Sequence, residues 1–199
     1  MCWNAEVSLN TFIFALVSFF IVIGLNKIPL LSSLIVLSVS LIQLYEYFAW
    51  KNIHNKKIIY YLSIFGSFII LLQLLLINYS NLKGTERIIS ISLIIIIGII
   101  WMIYNYYNNK FDIKVGENGH LIWYWVDVLP ILLIFIFILY LYPMIKNNNI
   151  LPFLFTLLAL LISLYYYYKY KTWGTLWCYF SNIIWIYFIL KSIYLYINI

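Results

Sequence analysis

Cys178, Ser181, Asn182 and Trp185 stand at i, i+3, i+4 and i+7 in an otherwise oily C-terminal stretch, so a helix there carries one polar face. Three other stretches repeat the pattern. Gln43, Glu46, Tyr47 and Trp50 follow this spacing, as do His120, Trp123, Tyr124 and Asp127, while Trp3, Glu6 and Asn10 follow i, i+3, i+7. Ionisable groups at membrane depth are costly and face a bundle interior or a wet cavity. The four stripes are therefore expected to look at one another and to form one polar, aromatic site. Its expected lining is Trp3 and Glu6 from the first stripe, Gln43 and Glu46 from the second, His120, Trp123 and Asp127 from the third, and Trp177 and Ser181 from the last.

Such a set suits the binding or movement of a small polar or cationic ligand. Glu46 is the charge anchor in that reading, Gln43, Asn10 and Asn182 supply amides, and His120 can respond to pH near neutrality. The only two cysteines, Cys2 and Cys178, leave three chemistries open. They form a disulfide on an oxidising face, stay free thiols on a cytosolic one, or join His120 and Glu46 or Glu6 as ligands for zinc. A metal there would allow a metal-dependent membrane hydrolase with Glu46 as base, but His54 sits in a Lys-rich loop and the ligand supply is thin. Lys191 as a retinal lysine is disfavoured, because Tyr187 and not a carboxylate stands four residues before it. A hydrolytic triad of Ser8 or Ser181 with His120 and Asp127 lacks any nucleophile elbow, so those serines are read as helix-packing residues.

The elements that must hold these groups follow from composition. The chain has 199 residues, 66% of them hydrophobic and 9% charged, against the roughly one quarter charged of soluble domains. It reads as an integral membrane protein of the all-α class, one domain over residues 1–199. Seven runs approach the roughly 20 residues that cross a bilayer: 8–25, 29–50, 58–78, 88–107, 120–142, 150–168 and 174–196. Pro130 is expected to kink the fifth run or to divide an interfacial start from its membrane-deep part, and Pro143 to end it. The first eight residues carry no basic n-region or cleavage pattern, so the first run is read as retained.

Seven crossings place all four stripes at the N-terminal face. That side collects Lys51, Lys56, Lys57, Lys110, Lys114, Lys169 and Lys171, against Lys27, Lys83, Arg87 and Lys146 on the other. The bias favours a cytoplasmic N-terminus and an outside C-terminus. Aromatic residues gather on the same side as an interfacial belt, notably Trp50, Trp123, Trp125, Tyr165 to Tyr168 and Trp173. The net charge of +6 is scattered over loops, which suits lipid headgroups and gives no nucleic-acid stripe. The far half is expected to be almost purely apolar apart from Gln73 and Lys191, so a one-sided pocket fits better than a pore.

Met1-Cys2-Trp3-Asn4-Ala5 with Ser8, the Gln43 and Glu46 pair, His120-Leu-Ile-Trp123, and Trp177-Cys178 with Ser181 resemble an uncharacterised family of small multi-pass membrane proteins from bacteria and large DNA viruses of protists. The likeness spans the chain through the order of its short motifs. A Gln-Pro of that family stands here as Gln73-Leu74. The resemblance implies a multi-pass protein of a host or virion membrane and brings no activity with it. The A+T-biased composition fits a viral member, which keeps open a structural role in a viral membrane.

Overall fold

The computed structural model describes residues 4–127 and 130–198, without the side chains of residues 130 and 175–180. Seven helices carry the fold: α1 (Ala5–Leu25), α2 (Leu30–Lys51), α3 (Lys56–Asn81), α4 (Gly84–Tyr107), α5 (Pro130–Lys146), α6 (Ile150–Tyr167) and α7 (Trp173–Ile197). Asparagines punctuate them. Asn4 and Asn55 accept from the backbone N–H groups of Val7 and Ile58 at the starts of α1 and α3. Asn26 takes the left-handed conformation that ends α1, with φ 51°.

The helices α1 to α4 and α6 are long and apolar enough to cross a membrane. Their polarity is inverted relative to a soluble bundle. Ser33, Ser40, Gln43, Glu46, Ser63, Ser67 and Asn78 are completely buried, whereas Ile88, Ile89, Ile95, Ile96, Ile99 and Ile100 of α4 are each about half exposed. An apolar exterior of this extent on a helical protein is what a lipid solvent selects.

Helices α1 to α4 pack in sequence order; α5 then returns to α3, α6 lies between α5 and α7, and α7 closes on α1 and α2. Helices α2 and α3 are thus the centre. The buried side of α1 is Ser8, Thr11, Ala15, Ser18 and Val22, mostly small residues that let neighbouring backbones approach. On α2, Ser40 shares a hydrogen bond with Ser181 of α7 at 3.2 Å and accepts from the Trp185 indole at 3.0 Å.

The expected fifth run does not form one helix. Residues 113–123 fold as an antiparallel hairpin of β1 (Ile113–Val115) and β2 (Leu121–Trp123), followed by a 3-10 turn over Tyr124–Val126. The turn is set by Gly116 and Gly119: the Gly116 N–H donates to the His120 carbonyl at 2.7 Å, and Gly119 has φ +75°. Helix α5 starts only at Pro130 and is 17 residues long, about 26 Å at 1.5 Å per residue. Pro143 lies inside it and does not end it.

That proline leaves the Leu139 carbonyl without its i+4 donor. Asn78 of α3 supplies the replacement, donating to Leu139 at 2.9 Å while its own carbonyl accepts from Ser90 of α4 at 2.5 Å. Glu86 and Lys146 pair at 2.9 Å nearby, and Asn147 and Asn149 both donate to Asn81. The far half of the bundle is therefore less purely apolar than its composition predicts.

Candidate functional site

The hairpin turns two tryptophans into the N-terminal end of the bundle. Period-2 alternation puts Leu121, Trp123 and the following Trp125 on the buried side, with Trp125 completely enclosed. Trp123 and Trp125 stack with ring centroids 5.5 Å apart and planes 7° from parallel. Tyr45 of α2 meets both rings edge-on, and its hydroxyl accepts from the Trp125 indole at 3.1 Å. The Trp125 carbonyl accepts twice from α4, from the Trp101 indole at 2.8 Å and the Asn105 amide at 2.9 Å. On α3 only glycine fits beneath: a Cβ at Gly66 would lie 2.8 Å from the Trp125 ring.

The hairpin is also latched to the loop between α6 and α7. Asn118 donates to the Thr172 hydroxyl at 2.8 Å, His120 lies edge-on to Tyr167 at 5.3 Å, and Lys171 pairs with Asp127 at 2.9 Å. Lys110 donates to the Asp127 carbonyl. Lys171 holds a left-handed backbone, φ 57°, which costs a non-glycine residue about 1–2 kcal/mol. The hydrogen bond and charge of Asp127 hold the Lys171 ammonium above its ordinary pKa.

Between this latch and the bundle lie two adjoining cavities. The outer, about 210 Å³, is walled by Trp123, Leu133, Trp173 and Gly174, with Asp127, Lys169 and Lys171 at its mouth. The inner, about 60 Å³, shares Trp123, Leu133, Trp173 and Gly174 and reaches Ile42, Phe137 and the Gln73–Tyr140 pair. There the Tyr140 hydroxyl donates to Gln73 at 2.6 Å, and the Gln73 amide donates to the Ser38 carbonyl at 3.0 Å. An engineered apolar cavity of about 150 Å³ already accepts benzene, so the outer chamber has the size of a small ligand. Trp123 is 5% exposed, and its indole N–H meets no acceptor among the described residues.

Of the residues singled out by spacing, the structure brings Trp123 and Asp127 to this cavity. They arrive from a strand and a loop, not from one helix face, because residues 120–127 are not α-helical. Asp127 is not an isolated inward carboxylate but the partner of Lys171. Gln43 and Glu46 are completely buried, inward as their spacing predicts, yet neither is among the described residues that wall the two cavities. Ser181 is buried in the α2–α7 contact. Glu6 and Asn10 are exposed, on the side of α1 away from Ser8, Thr11 and Ala15, so that stripe does not look inward.

Cys2 and Trp3 lie outside the described residues, as do the side chains of Trp177 and Cys178. Among the described residues no three His, Cys, Asp or Glu come together as a metal set. His54 is exposed, and the exposed Lys191 lies over the Tyr187 ring. Lys169, Trp173, Gly174 and the Gln73–Tyr140 pair enter the cavity without any sequence-local motif to announce them. Comparison with protein-family models, with curated proteins and with solved structures yields no match.

Burial lowers the pKa of His120 below its ordinary 6.5. A base lowered by burial takes up its proton at a lower pH in the docked hairpin than in the unfolded chain, which does so near pH 6.5. The unfolded state then binds more protons, so stability is complete above that pH and declines as pH falls below it. The melting temperature of detergent-solubilised protein should drop more between pH 7.5 and 5.5 than that of His120→Gln. Equal drops would show that His120 does not carry the linkage.

Proposed function

We propose that the chain is a seven-crossing integral membrane protein that binds a small ligand in a one-sided cavity below its N-terminal, cytoplasmic face. The observation that carries this reading is the chamber under the hairpin, charged at its mouth and apolar within. Helix α7, at 25 residues, is long enough to cross, and α5 falls only slightly short of a roughly 30 Å hydrocarbon core because the hairpin takes up the preceding residues. The lysine distribution supports the orientation, and the likeness carried by Met1-Cys2-Trp3, His120-x-x-Trp123 and Trp177-Cys178 supports a multi-pass role. Binding is favoured over conduction because the inner chamber ends on the Gln73–Tyr140 bond, beyond which Leu74, Ile77 and Ile94 pack closed with Tyr140.

Substituted-cysteine labelling tests the reading. Leu133 walls both cavities, whereas Ile134 beside it is 57% exposed on the lipid side. In phosphatidylcholine vesicles, Leu133→Cys should react with membrane-impermeant methanethiosulfonates added on the N-terminal side at least tenfold faster than Ile134→Cys. Mass spectrometry of the peptide bearing the new cysteine keeps Cys2 and Cys178 in place. Equal rates at the two positions would refute a water-accessible cavity.

A further inference from the structure

We infer that the ligand of this cavity is an uncharged, predominantly apolar molecule about the size of a substituted benzene ring, held across the inner chamber and its junction with the outer one. The inference rests on the pocket reading above and replaces the polar or cationic ligand that the carboxylate stripes alone predict.

The walls decide the charge. Among the described residues the inner chamber is bordered by Ile42, Ile70, Leu133, Ile136, Phe137 and Trp173, and none of those that border it carries a charge. Trp123 adds carbon surface and not a donor. Its indole nitrogen has almost no exposed surface, and its benzo edge packs on Gly174, where a Cβ would lie 2.8 Å from the ring. The floor is polar but neutral and already bonded, Tyr140 donating to Gln73 and Gln73 to the Ser38 carbonyl. An ion moved into such a site gives up its hydration and finds no countercharge.

The charges at the mouth do not offset that cost. Asp127 and Lys171 pair with each other, and both side chains, like Lys169, are open to solvent. Exposed charges are screened within about 8 Å at physiological salt, so they keep the entrance wet without choosing the sign of what passes. Volume then sets the size. The outer chamber of about 210 Å³ and the inner of about 60 Å³ together exceed the roughly 150 Å³ that accepts benzene and fall short of the roughly 300 Å³ at which drug-sized sites begin. A single ring with a short substituent fits, and a diacyl lipid does not.

Three compounds with one body and different charges test this: benzyl alcohol, benzoate and benzylamine, the last an ammonium ion at pH 7.5. Each is added at the same aqueous concentration to the Leu133→Cys protein in phosphatidylcholine vesicles, with about 0.3 M sodium chloride to screen the mouth. The thiol is then labelled from the N-terminal side with sulfonatoethyl methanethiosulfonate. Benzyl alcohol should slow labelling at position 133 at least threefold and leave Ile134→Cys unchanged, whereas either ion should need about ten times the concentration for the same slowing. Ile136→Phe, or Ile70→Phe from the α3 wall, fills the inner chamber and should abolish the protection while position 133 stays reactive. Equal protection by either ion, no protection by benzyl alcohol, or protection that survives both fillings would overturn the uncharged assignment; the pocket would stand, because the introduced thiol still reacts faster than Ile134→Cys. Labelling no faster than at Ile134→Cys removes pocket and ligand together.

Discussion

Trp125→Ala should lower the stability of the detergent-solubilised protein by about 3–5 kcal/mol, the range for deleting a large buried aromatic side chain. Trp125 is completely buried, stacks on Trp123, and meets Tyr45 and Trp101. Removing the indole empties the space over Gly66 and withdraws the donor from the Tyr45 hydroxyl. The hairpin's other anchors are the two α4 donors to the Trp125 carbonyl, the buried Ile113 and Leu121, and the contacts of Asn118 and His120 with Thr172 and Tyr167, none of which fills the space the indole leaves. Its docking should therefore fail before the helices separate. Unfolding by dodecyl sulfate in mixed micelles would report the loss of stability, and tryptic cleavage after Lys114 would report the released hairpin. Trp125→Phe keeps most of the ring and loses mainly one hydrogen bond, about 1 kcal/mol. A Trp125→Ala protein within about 1 kcal/mol of the parent, with Lys114 still protected, would show that the tryptophan does not hold the segment.

The helical class was legible because composition and run length leave a chain this oily few alternatives. The hairpin was not, since 120–142 satisfies a length criterion whether or not its first residues are helical. One local signal pointed to it: Asn118-Gly119, following Gly116, between the alternation Ile113-Lys114-Val115 and the short apolar run 121–125. The α2 stripe is buried at Gln43 and Glu46 because α2 is surrounded by α1, α3 and α7. On α1 the same rule fails for a physical reason. A helix packed inside a membrane protein turns its small residues inward, and Ser8, Thr11, Ala15 and Ser18 take that side; Glu6, in the first turn, is left at the rim. The cavity was least legible. Lys169 and Lys171 look like ordinary interfacial lysines, and only the left-handed turn at Lys171 and its reach to Asp127 make them part of a wall.

The second large effect lies at the opposite end of the molecule and can be isolated by a pair of substitutions. Asn78 is completely buried and serves two neighbours, donating to the Leu139 carbonyl that Pro143 leaves without an in-helix partner and accepting from Ser90. Asn78→Leu keeps the approximate volume but strands both groups where no water reaches them. A buried polar group left unsatisfied costs about 1–3 kcal/mol, so a loss of about 2–4 kcal/mol is expected, measured by the same dodecyl sulfate titration. If the Leu139 carbonyl is the principal casualty, Pro143→Ala should restore much of it, because an alanine at 143 returns the N–H that bonds four residues back. The double variant should then lie at least about 1 kcal/mol closer to the parent than additivity allows, a coupling larger than separate sites show. Additive losses would mean that Asn78 acts through Ser90 alone and that α5 tolerates its proline without help from α3.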